Sequence, residues 1–355
     1  MTEPSARGRP AAPLSDPPAR VPVTAITGHL GAGKTSLLNH LLRAPGARLG
    51  VVVNDFGALN VDAALVTGQV DEAAAISGGC LCCLPDAGGL DDALERLSHP
   101  RLRLDAIMVE ASGAAEPLEL ARLIRFSGAE RIRPGGVIEV IDAAEHFRTV
   151  DVRPEPPARY GAATLVVIGR SDLLPQGERD GVIARIRERV RERNTHAPLV
   201  VATAGRVDPG LVFDIASEED PADELPIARL LREEAHAHGA HEHARAASVA
   251  LTRPISPGAV VDLLEDPPEG AYRMKGRVRV RGARGDAGYV VNVVGRAIHV
   301  APLPVPPAEG ELVAIGLHLD PAGAERRLRE AAAAPAERSD AAGLRRLRRY
   351  RRLSD

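Results

Sequence analysis

Short apolar runs alternate with stretches of helical periodicity along the first two thirds of the chain. Six runs are bounded by Gly, Asp, Asn or Pro and are apolar throughout, which is typical of parallel strands covered on both faces. The helical pattern is clear at 34–43 and 180–193, where apolar residues fall on one face. The pattern predicts an α/β fold with a mostly parallel sheet flanked by helices. The predicted strands are 21–27, 49–53, 104–109, 137–141, 164–168 and 198–202.

The rhythm changes after about residue 220, where strands follow one another with few helices between them. The alternating RVRVR segment and the glycines of 282–288 predict an antiparallel hairpin. We therefore expect a smaller α+β domain in the C-terminal part. The predicted order is a disordered leader (1–20), a main domain (21–220), a His-containing linker (221–245), a second domain (246–320) and a helical, basic tail (321–355).

The composition is that of an ordinary globular protein. The chain has 355 residues, 45% hydrophobic and 26% charged, with a formal net charge of −3, which argues against a dedicated nucleic-acid binder. No apolar run is long enough to span a membrane, and the N-terminus lacks the apolar region of a secretory signal. We expect a cytoplasmic protein without a membrane partner.

A phosphate-binding motif lies between the first predicted strand and the first helix. The segment 28–35, GHLGAGKT, matches G-x-x-x-x-G-K-[ST] in full. Glycines let backbone N–H groups surround phosphates, Lys34 reaches the β- and γ-phosphates, and the Thr35 hydroxyl ligates Mg²⁺. The alternative is a glycine-rich turn without a ligand. Against this alternative, the chain has only two lysines, Lys34 and Lys275, and uses Arg elsewhere. A lysine inside the motif therefore suggests that an ammonium group is needed there. The predicted nucleotide-binding residues here are Gly28, Gly31, Ala32, Gly33, Lys34, Thr35 and Ser36.

A carboxylate ends the predicted strand 104–109, at the edge where ligands bind to parallel sheets. This residue is Glu110, and Gly113 follows it closely. Next to a phosphate loop, Glu110 is expected on the Mg²⁺ side and Gly113 is expected to offer its N–H to the γ-phosphate. Without that loop, a solvent-exposed glutamate would be the better interpretation.

Three cysteines, Cys80, Cys82 and Cys83, are the only ones in the chain, which excludes a disulfide framework. Thiolates suit Zn²⁺, Cu(I) or another late transition metal. A cysteine-rich ligand set favours Zn²⁺, and cobalt is the alternative. Three thiolates do not close a tetrahedral site, so a fourth ligand or an open position is implied, and an open position suits transfer. The alternatives are buried small hydrophobes or a redox pair.

Two further patterns have weaker chemical meaning. Four histidines form H-x-H-x-x-H-x-H and indicate either an auxiliary metal-binding segment or a solvated linker. The arginine-rich end would touch RNA or anionic lipid, or be a solvated tail, which we favour. The histidines are His236, His238, His241 and His243.

Together these motifs resemble the CobW-type GTPases, relatives of the urease and hydrogenase nickel-insertion GTPases. The resemblance rests on GHLGAGKTSLLNHLL, VVVNDFGALNVDAALV, GGCLCC, VEASGAAEP and VIEVIDA, with RMKGRVRV and ELVAIGLHLD in the second domain. It implies a GTP-hydrolysing metallochaperone or metal-insertion factor whose cysteines hold the transferred metal. It also implies a first switch region formed by Asn54, Asp55, Phe56, Gly57 and Asp62.

Two positions depart from that family's pattern. The first switch has Asp55 where the family usually has Glu, which keeps a shorter carboxylate for the metal or magnesium. The guanine-reading element N-K-x-D is replaced by Gly169, Arg170, Ser171 and Asp172. Asp172 keeps the carboxylate that pairs with guanine, Arg170 can stack over the base, and Gly169 lacks the amide, so a weakened guanine preference is expected.

The expected reaction is attack of water on the γ-phosphate of GTP, giving GDP. Lys34, Thr35 and Mg²⁺ neutralise the developing charge, and Glu110 or Asp62 are the candidates to orient the water through Mg²⁺-bound water. The alternatives are a non-catalytic metal buffer or regulator that binds nucleotide, and a kinase, for which no acceptor motif is visible. The expected partner is a client metalloprotein, and a nucleotide-dependent homodimer is compatible with the motifs.

Overall fold

The structure is a computed structural model that describes residues 20–44, 47–54, 70–76, 88–113, 115–203, 205–213, 244–282, 285–334 and 340–354. In these ranges the chain forms two β-sheets, one parallel and one antiparallel. The predicted leader and nearly all of the predicted linker lie outside the described residues.

The first sheet has seven described strands, and every neighbouring pair is parallel. Their order across the sheet is β3-β2-β4-β1-β5-β6-β7. The six predicted strands are confirmed, with shifts at their ends, and β3 at the sheet edge is an addition. The strands are β1 (Val21–Gly28), β2 (Leu49–Asn54), β3 (Val70–Ile76), β4 (Ala106–Glu110), β5 (Ile132–Asp142), β6 (Leu165–Gly169) and β7 (Leu199–Val201).

Helices cover both faces of this sheet. On β1, Ile26 packs into the cluster that contains the leucines of α1, while Val23 and Ala25 pack into the cluster that contains α2 and α3. Successive side chains of a strand point to opposite faces, so one short strand contributes to two cores. The helices are α1 (Lys34–Leu42), α2 (Gly88–Leu97), α3 (Pro117–Arg125), α4 (His146–Thr149) and α5 (Gln176–Arg193).

The second sheet is antiparallel and has the order β11-β10-β9-β12-β8. The predicted hairpin is confirmed as β9 and β10, and β11 is an additional edge strand. Its strands are β8 (Arg245–Leu251), β9 (Arg273–Gly282), β10 (Gly285–Val294), β11 (Ala297–Leu303) and β12 (Gly310–Gly316), and its helices are α6 (Pro257–Glu265), α7 (Pro321–Ala333) and α8 (Ala341–Ser354). None of the described helices is long and apolar enough to cross a membrane.

The arginine-rich end forms α8, which packs against the second sheet while most of its arginines stay exposed. Leu347 is fully buried in the core of the second sheet, and Arg346 pairs with Asp262 and Glu265 of α6 at 2.6 Å each. The apolar positions at helical spacing therefore outweigh the charge of the segment, because the arginines can remain on the outer face while leucine is buried.

One aspartate stabilises the starts of two helices. The Asp340 carboxylate accepts hydrogen bonds from Gly343 N at 2.8 Å in α8, and from Gly258 N at 2.8 Å and Ser256 Oγ at 2.9 Å at α6. The Asp340 carboxylate thereby accepts from backbone N–H groups that a helix start otherwise leaves without an acceptor. A Cβ on Gly343 would lie 2.3 Å from Gly258 N, so the two helix starts pack as closely as backbone allows.

We expect Asp340→Ala to lower the free energy of unfolding by about 2 kcal/mol at neutral pH, because both caps are lost. The backbone N–H of Gly343, followed by the other donors, holds the pKa of Asp340 below its usual range. The stabilisation is therefore complete above the ordinary aspartate pKa and is lost as pH falls through the folded-state pKa. Urea unfolding at several pH values measures this difference.

The matched control is Asp266→Ala, since the side chain of Asp266 is 89% exposed and lies 3.8 Å from Arg327. This change is expected to alter stability by less than about 0.5 kcal/mol. Equal destabilisation by the two variants would contradict the double-cap assignment.

Candidate functional site

The predicted phosphate loop joins the carboxyl end of β1 to α1. Gly31 and Gly33 have φ values of +79° and +97°, which side-chain-bearing residues rarely adopt. A Cβ on Gly28 would lie 2.4 Å from the carbonyl oxygen of Val140 on β5. The glycines are thus required by backbone geometry and by close packing, as the motif predicts.

Lys34 begins α1 and lies almost wholly inside the loop, with 8% of its surface exposed. Its ammonium donates to the carbonyl oxygens of Gly28 at 3.1 Å and His29 at 3.4 Å. A cation at a helix N-terminus that also offers N–H groups makes a site for anionic phosphates. The cationic group is therefore held at the position that the motif requires.

Thr35 on α1 and Glu110 at the end of β4 come together at the carboxyl edge of the sheet. The Thr35 hydroxyl donates to Glu110 Oε1 at 2.7 Å, and Glu110 is 3% exposed at the end of β4, opposite Ile26 of β1. Hydroxyl and carboxylate oxygens are the ligands that Mg²⁺ prefers. The two residues predicted on the Mg²⁺ side thus share one point at the sheet edge.

Gly113 packs directly against the phosphate loop. A Cβ there would lie 2.5 Å from the backbone nitrogen of Leu30 and 2.7 Å from its Cα. The turn after β4 and the phosphate loop therefore pack too closely for a side chain at residue 113. This contact places Gly113 beside the loop and explains the need for glycine.

The segment after β6 brings the predicted base-reading residues to the same edge. Arg170 has a φ of +56°, and its guanidinium donates to Gly31 O at 2.9 Å and to Asp142 Oδ2 at 2.8 Å. Arg170 is thus fixed to the phosphate loop and to the end of β5. Asp172 is exposed on the following 3₁₀ turn, which Arg179 holds by donating to Ser171 O at 2.8 Å.

A cavity of about 410 Å³ lies between the phosphate loop and this turn. Its volume is within the usual range of small-molecule sites. Its lining includes Ser36 at the start of α1, Asp172 after β6, and Ala202 and Gly205 after β7. The cavity therefore brings part of the predicted phosphate loop, Gly31 to Gly33 and Ser36, together with the predicted base residue Asp172.

A buried polar layer supports the phosphate loop from below. The Thr27 hydroxyl donates to Glu139 Oε2 at 2.6 Å, and Arg159 Nε lies 2.5 Å from Glu139 Oε1. Burial raises the pKa of Glu139, while Arg159 and Thr27 act in the opposite direction. Because Thr27 directly precedes Gly28, this layer fixes the point at which the loop leaves β1.

Sequence reasoning did not identify Asp142, Glu139, Arg159, Ala202 or Gly205. Asp142 and Glu139 lie at the carboxyl end of β5, in the same sheet-edge position that identifies Glu110. That positional signal could have found them. Arg159 is 131 positions from Gly28 along the sequence, and only the packing of the 3₁₀ turn Ala158–Ala162 brings it under the loop.

The predicted transition-metal ligands lie outside the described residues. Within the described ranges, no group of three or more His, Cys, Asp and Glu side chains is arranged to hold a metal ion. Asn54 ends β2, and the remaining first-switch residues also fall outside. The predictions not described are Asp55, Phe56, Gly57, Asp62, Cys80, Cys82, Cys83, His236, His238, His241 and His243.

Comparison with protein families agrees with the two-sheet architecture. The sequence model "CobW/HypB/UreG, nucleotide-binding domain" matches residues 22–201. The model "Cobalamin synthesis protein cobW C-terminal domain" matches residues 244–332. The first match covers the parallel sheet with its phosphate loop, and the second covers the antiparallel sheet.

Curated relatives are similar to parts of the chain. Zinc chaperone YjiA of Escherichia coli is 30% identical over 55% of this chain and 61% of its own length. Zinc chaperone CobW of Sinorhizobium sp is 27% identical over 69% of this chain and 77% of its own length. The chain thus spans less than two thirds of YjiA. The structure of Zn(II)-bound YjiA GTPase from E. coli is 20% identical with a TM-score of 0.40, covering 88% of this chain and 98% of that one.

The base-reading prediction can be tested at the retained aspartate and at the glycine that replaces the usual asparagine. If Asp172 pairs with guanine, Asp172→Asn removes a charged acceptor and should weaken GTP binding about 10–100-fold with little effect on ATP. A Cβ on Gly169 would lie 3.5 Å from Ala32 O, an ordinary contact, so Gly169→Asn should fit and strengthen GTP over ATP. Competition of both nucleotides against a fluorescent GDP analogue measures the preference.

Gly177→Asn is the matched control, because a Cβ at this helical glycine meets nothing within 4 Å. Unchanged base preference in Asp172→Asn would remove this residue from the base site.

Proposed function

The chain belongs to the CobW/HypB/UreG family, and on that premise we propose that it is a GTP-hydrolysing metallochaperone that supplies zinc to a client metalloprotein. The observation that carries the proposal is the convergence of Lys34, Thr35 and Glu110 at one sheet edge, beside a cavity that ends at Asp172. This arrangement has the parts needed to bind a triphosphate and to act on its terminal phosphate.

The phosphate loop binds and orients the substrate. Loop N–H groups and the start of α1 attract the β- and γ-phosphates, and Lys34 neutralises charge that develops on the γ-phosphate as water attacks. The polar layer under Thr27 keeps this loop in position. Preorganised charge of this kind lowers the barrier because little reorganisation is needed during the reaction.

The donor set at Thr35 and Glu110 fits Mg²⁺, since both residues offer hard oxygen atoms at one partly buried point. When bound, Mg²⁺ would neutralise phosphate charge and order water around the γ-phosphate. Glu110 would hold one such water by accepting a hydrogen bond from it. Asp62 remains the second candidate for this task.

For the cargo metal, we propose Cys80, Cys82 and Cys83 as the ligands. Soft thiolates favour zinc over magnesium, and the relatives named above are called zinc chaperones. Asp55 is proposed as a nearby carboxylate ligand. The four histidines at 236, 238, 241 and 243 are proposed as an auxiliary binding segment.

The order of segments along the chain links the proposed metal site to the nucleotide site. The cysteines lie between β3 (Val70–Ile76) and α2 (Gly88–Leu97), and so between the first switch and Glu110 along the chain. Ordering of switch segments by γ-phosphate and Mg²⁺ is a known route to conformational change. We propose that GTP and GDP states hold the metal with different affinities, which allows loading and release.

The client is proposed to be a metalloprotein that receives the ion by ligand exchange, in the cytoplasm, where thiols stay reduced. A nucleotide-dependent homodimer is compatible with this scheme.

Lys34→Ala should reduce GTP hydrolysis to background while the fold is retained, because it removes the ammonium from the phosphate loop. Phosphate release under saturating GTP and Mg²⁺ measures the activity, and circular dichroism checks the fold. The control is Lys275→Ala, which changes the chain's other lysine on β9, far along the chain from the loop. Parent-rate hydrolysis by a folded Lys34→Ala protein would refute the proposed active site.

Zinc affinity should differ about 5–150-fold between the GDP-bound protein and the protein bound to a non-hydrolysable GTP analogue, a coupling of about 1–3 kcal/mol. Zinc should change the affinity for the analogue by the same factor, and uptake should release protons because thiols must ionise. Competition with a chromophoric chelator measures the affinity in each state.

The Cys80→Ser/Cys82→Ser/Cys83→Ser variant tests whether the cysteines bind zinc, separately from whether nucleotide changes the zinc affinity. Unchanged zinc affinity in this variant would exclude the cysteine site. Equal parental affinities in both nucleotide states would exclude gating and leave the site itself intact.

A further inference from the structure

A second cavity lies where the amino ends of β1 and β5 meet the antiparallel sheet. Its volume is about 470 Å³, within the range of small-molecule sites. Its walls come from the turn after α3, the start of β5, the hairpin β10–β11 and the end of α8. It is therefore formed by both sheets and by the arginine-rich helix, at the opposite end of the strands from the phosphate loop.

The cavity is strongly cationic. Four arginines line it, and Glu130 is the one carboxylate among the lining residues that the structure describes. Arg131 pairs with Glu95 at 2.6 Å, and Arg20 donates to the carbonyl oxygen of Ser354. Among the lining residues that the structure describes, arginines therefore outnumber carboxylates by four to one. The lining arginines are Arg20, Arg125, Arg131 and Arg133.

Neutral hydrogen-bonding groups complete the wall. Asn292 and His299 are directly opposite each other on β10 and β11, and both line the cavity. Burial, and then the charges of Arg133 and Arg20, lower the pKa of His299 to about 4. His299 is therefore neutral near pH 7 and can donate one hydrogen bond without adding charge.

We propose that this cavity binds a small phosphate-bearing anion that bridges the two sheets. Guanidinium groups arranged from different elements suit phosphate oxygens, because each planar fork can donate two parallel hydrogen bonds. Asn292 and His299 supply the directional donors that a phosphate needs beyond charge. A volume of about 470 Å³ suits a small molecule.

The position also links the anion to the nucleotide site. β1 and β5 run side by side from Val21 and Ile132 at the cavity to Gly28 and Val140 at the phosphate loop. An anion that fixes the amino ends of both strands against the second sheet stabilises the folded arrangement of the whole unit, by binding the native state alone.

The test uses inorganic pyrophosphate with the full-length protein already saturated with GDP and Mg²⁺, so that the phosphate loop is filled. Calorimetry should show one further equivalent of pyrophosphate bound, and the thermal unfolding midpoint should rise. Arg125→Ala and Arg20→Gln should each weaken this binding about tenfold, and the double variant should lose it.

Arg122→Ala is the matched control, since Arg122 is on the same helix as Arg125 and pairs with Glu119 on the surface at 2.9 Å. Its pyrophosphate affinity should equal that of the parent. Basal GTP hydrolysis is measured in every variant, and Lys34→Ala should retain the second pyrophosphate site, so failure here is distinct from failure of the proposed GTPase activity.

Three results would overturn the proposal. They are no pyrophosphate bound to the GDP-saturated protein, unchanged pyrophosphate affinity in the double variant, or binding of polyglutamate in place of pyrophosphate. The double variant's unfolding midpoint without pyrophosphate verifies that it is folded.

Discussion

Close backbone packing at the carboxyl ends of β1, β4 and β5 is the constraint on which the site depends. Gly28 lies against Val140, and Gly113 lies against Leu30, at distances that leave no room for a Cβ. Interiors packed this tightly transmit small displacements. The phosphate loop is therefore held in one conformation by its neighbours, before any ligand contact is considered.

This packing determines where charge can be placed. Thr35 reaches Glu110 only because β1 and β4 are adjacent and parallel, so that their carboxyl ends meet at one edge. The Glu139–Arg159 pair, buried beneath the loop, costs desolvation energy, and it is compensated by the Thr27 hydroxyl and by ion pairing. A polar layer in this position fixes the orientation of the phosphate loop as well as stabilising it.

The two ends of the parallel strands differ in how their charges are arranged. At the carboxyl end carboxylates are paired with cations, Glu139 with Arg159 and Asp142 with Arg170. Arginines collect at the amino end, where the antiparallel sheet and α8 close the second cavity. Because β1 and β5 are continuous between these regions, the proposed phosphate-bearing anion and the nucleotide would act on opposite ends of the same strands.

The sequence by itself determined the strands of the sheet interior and the phosphate loop, because continuous apolar runs and the G-x-x-x-x-G-K-T pattern depend on local chemistry. It missed β3 and β11, two edge strands whose residues lack the continuous apolar run of the strands that it found. Tertiary structure alone decided that Arg170 binds Gly31 O and Asp142, and that the arginine-rich tail packs as α8 through Leu347. These outcomes depend on contacts between residues that are distant in sequence. A local sequence pattern does not specify which distant residues become neighbours in the folded protein.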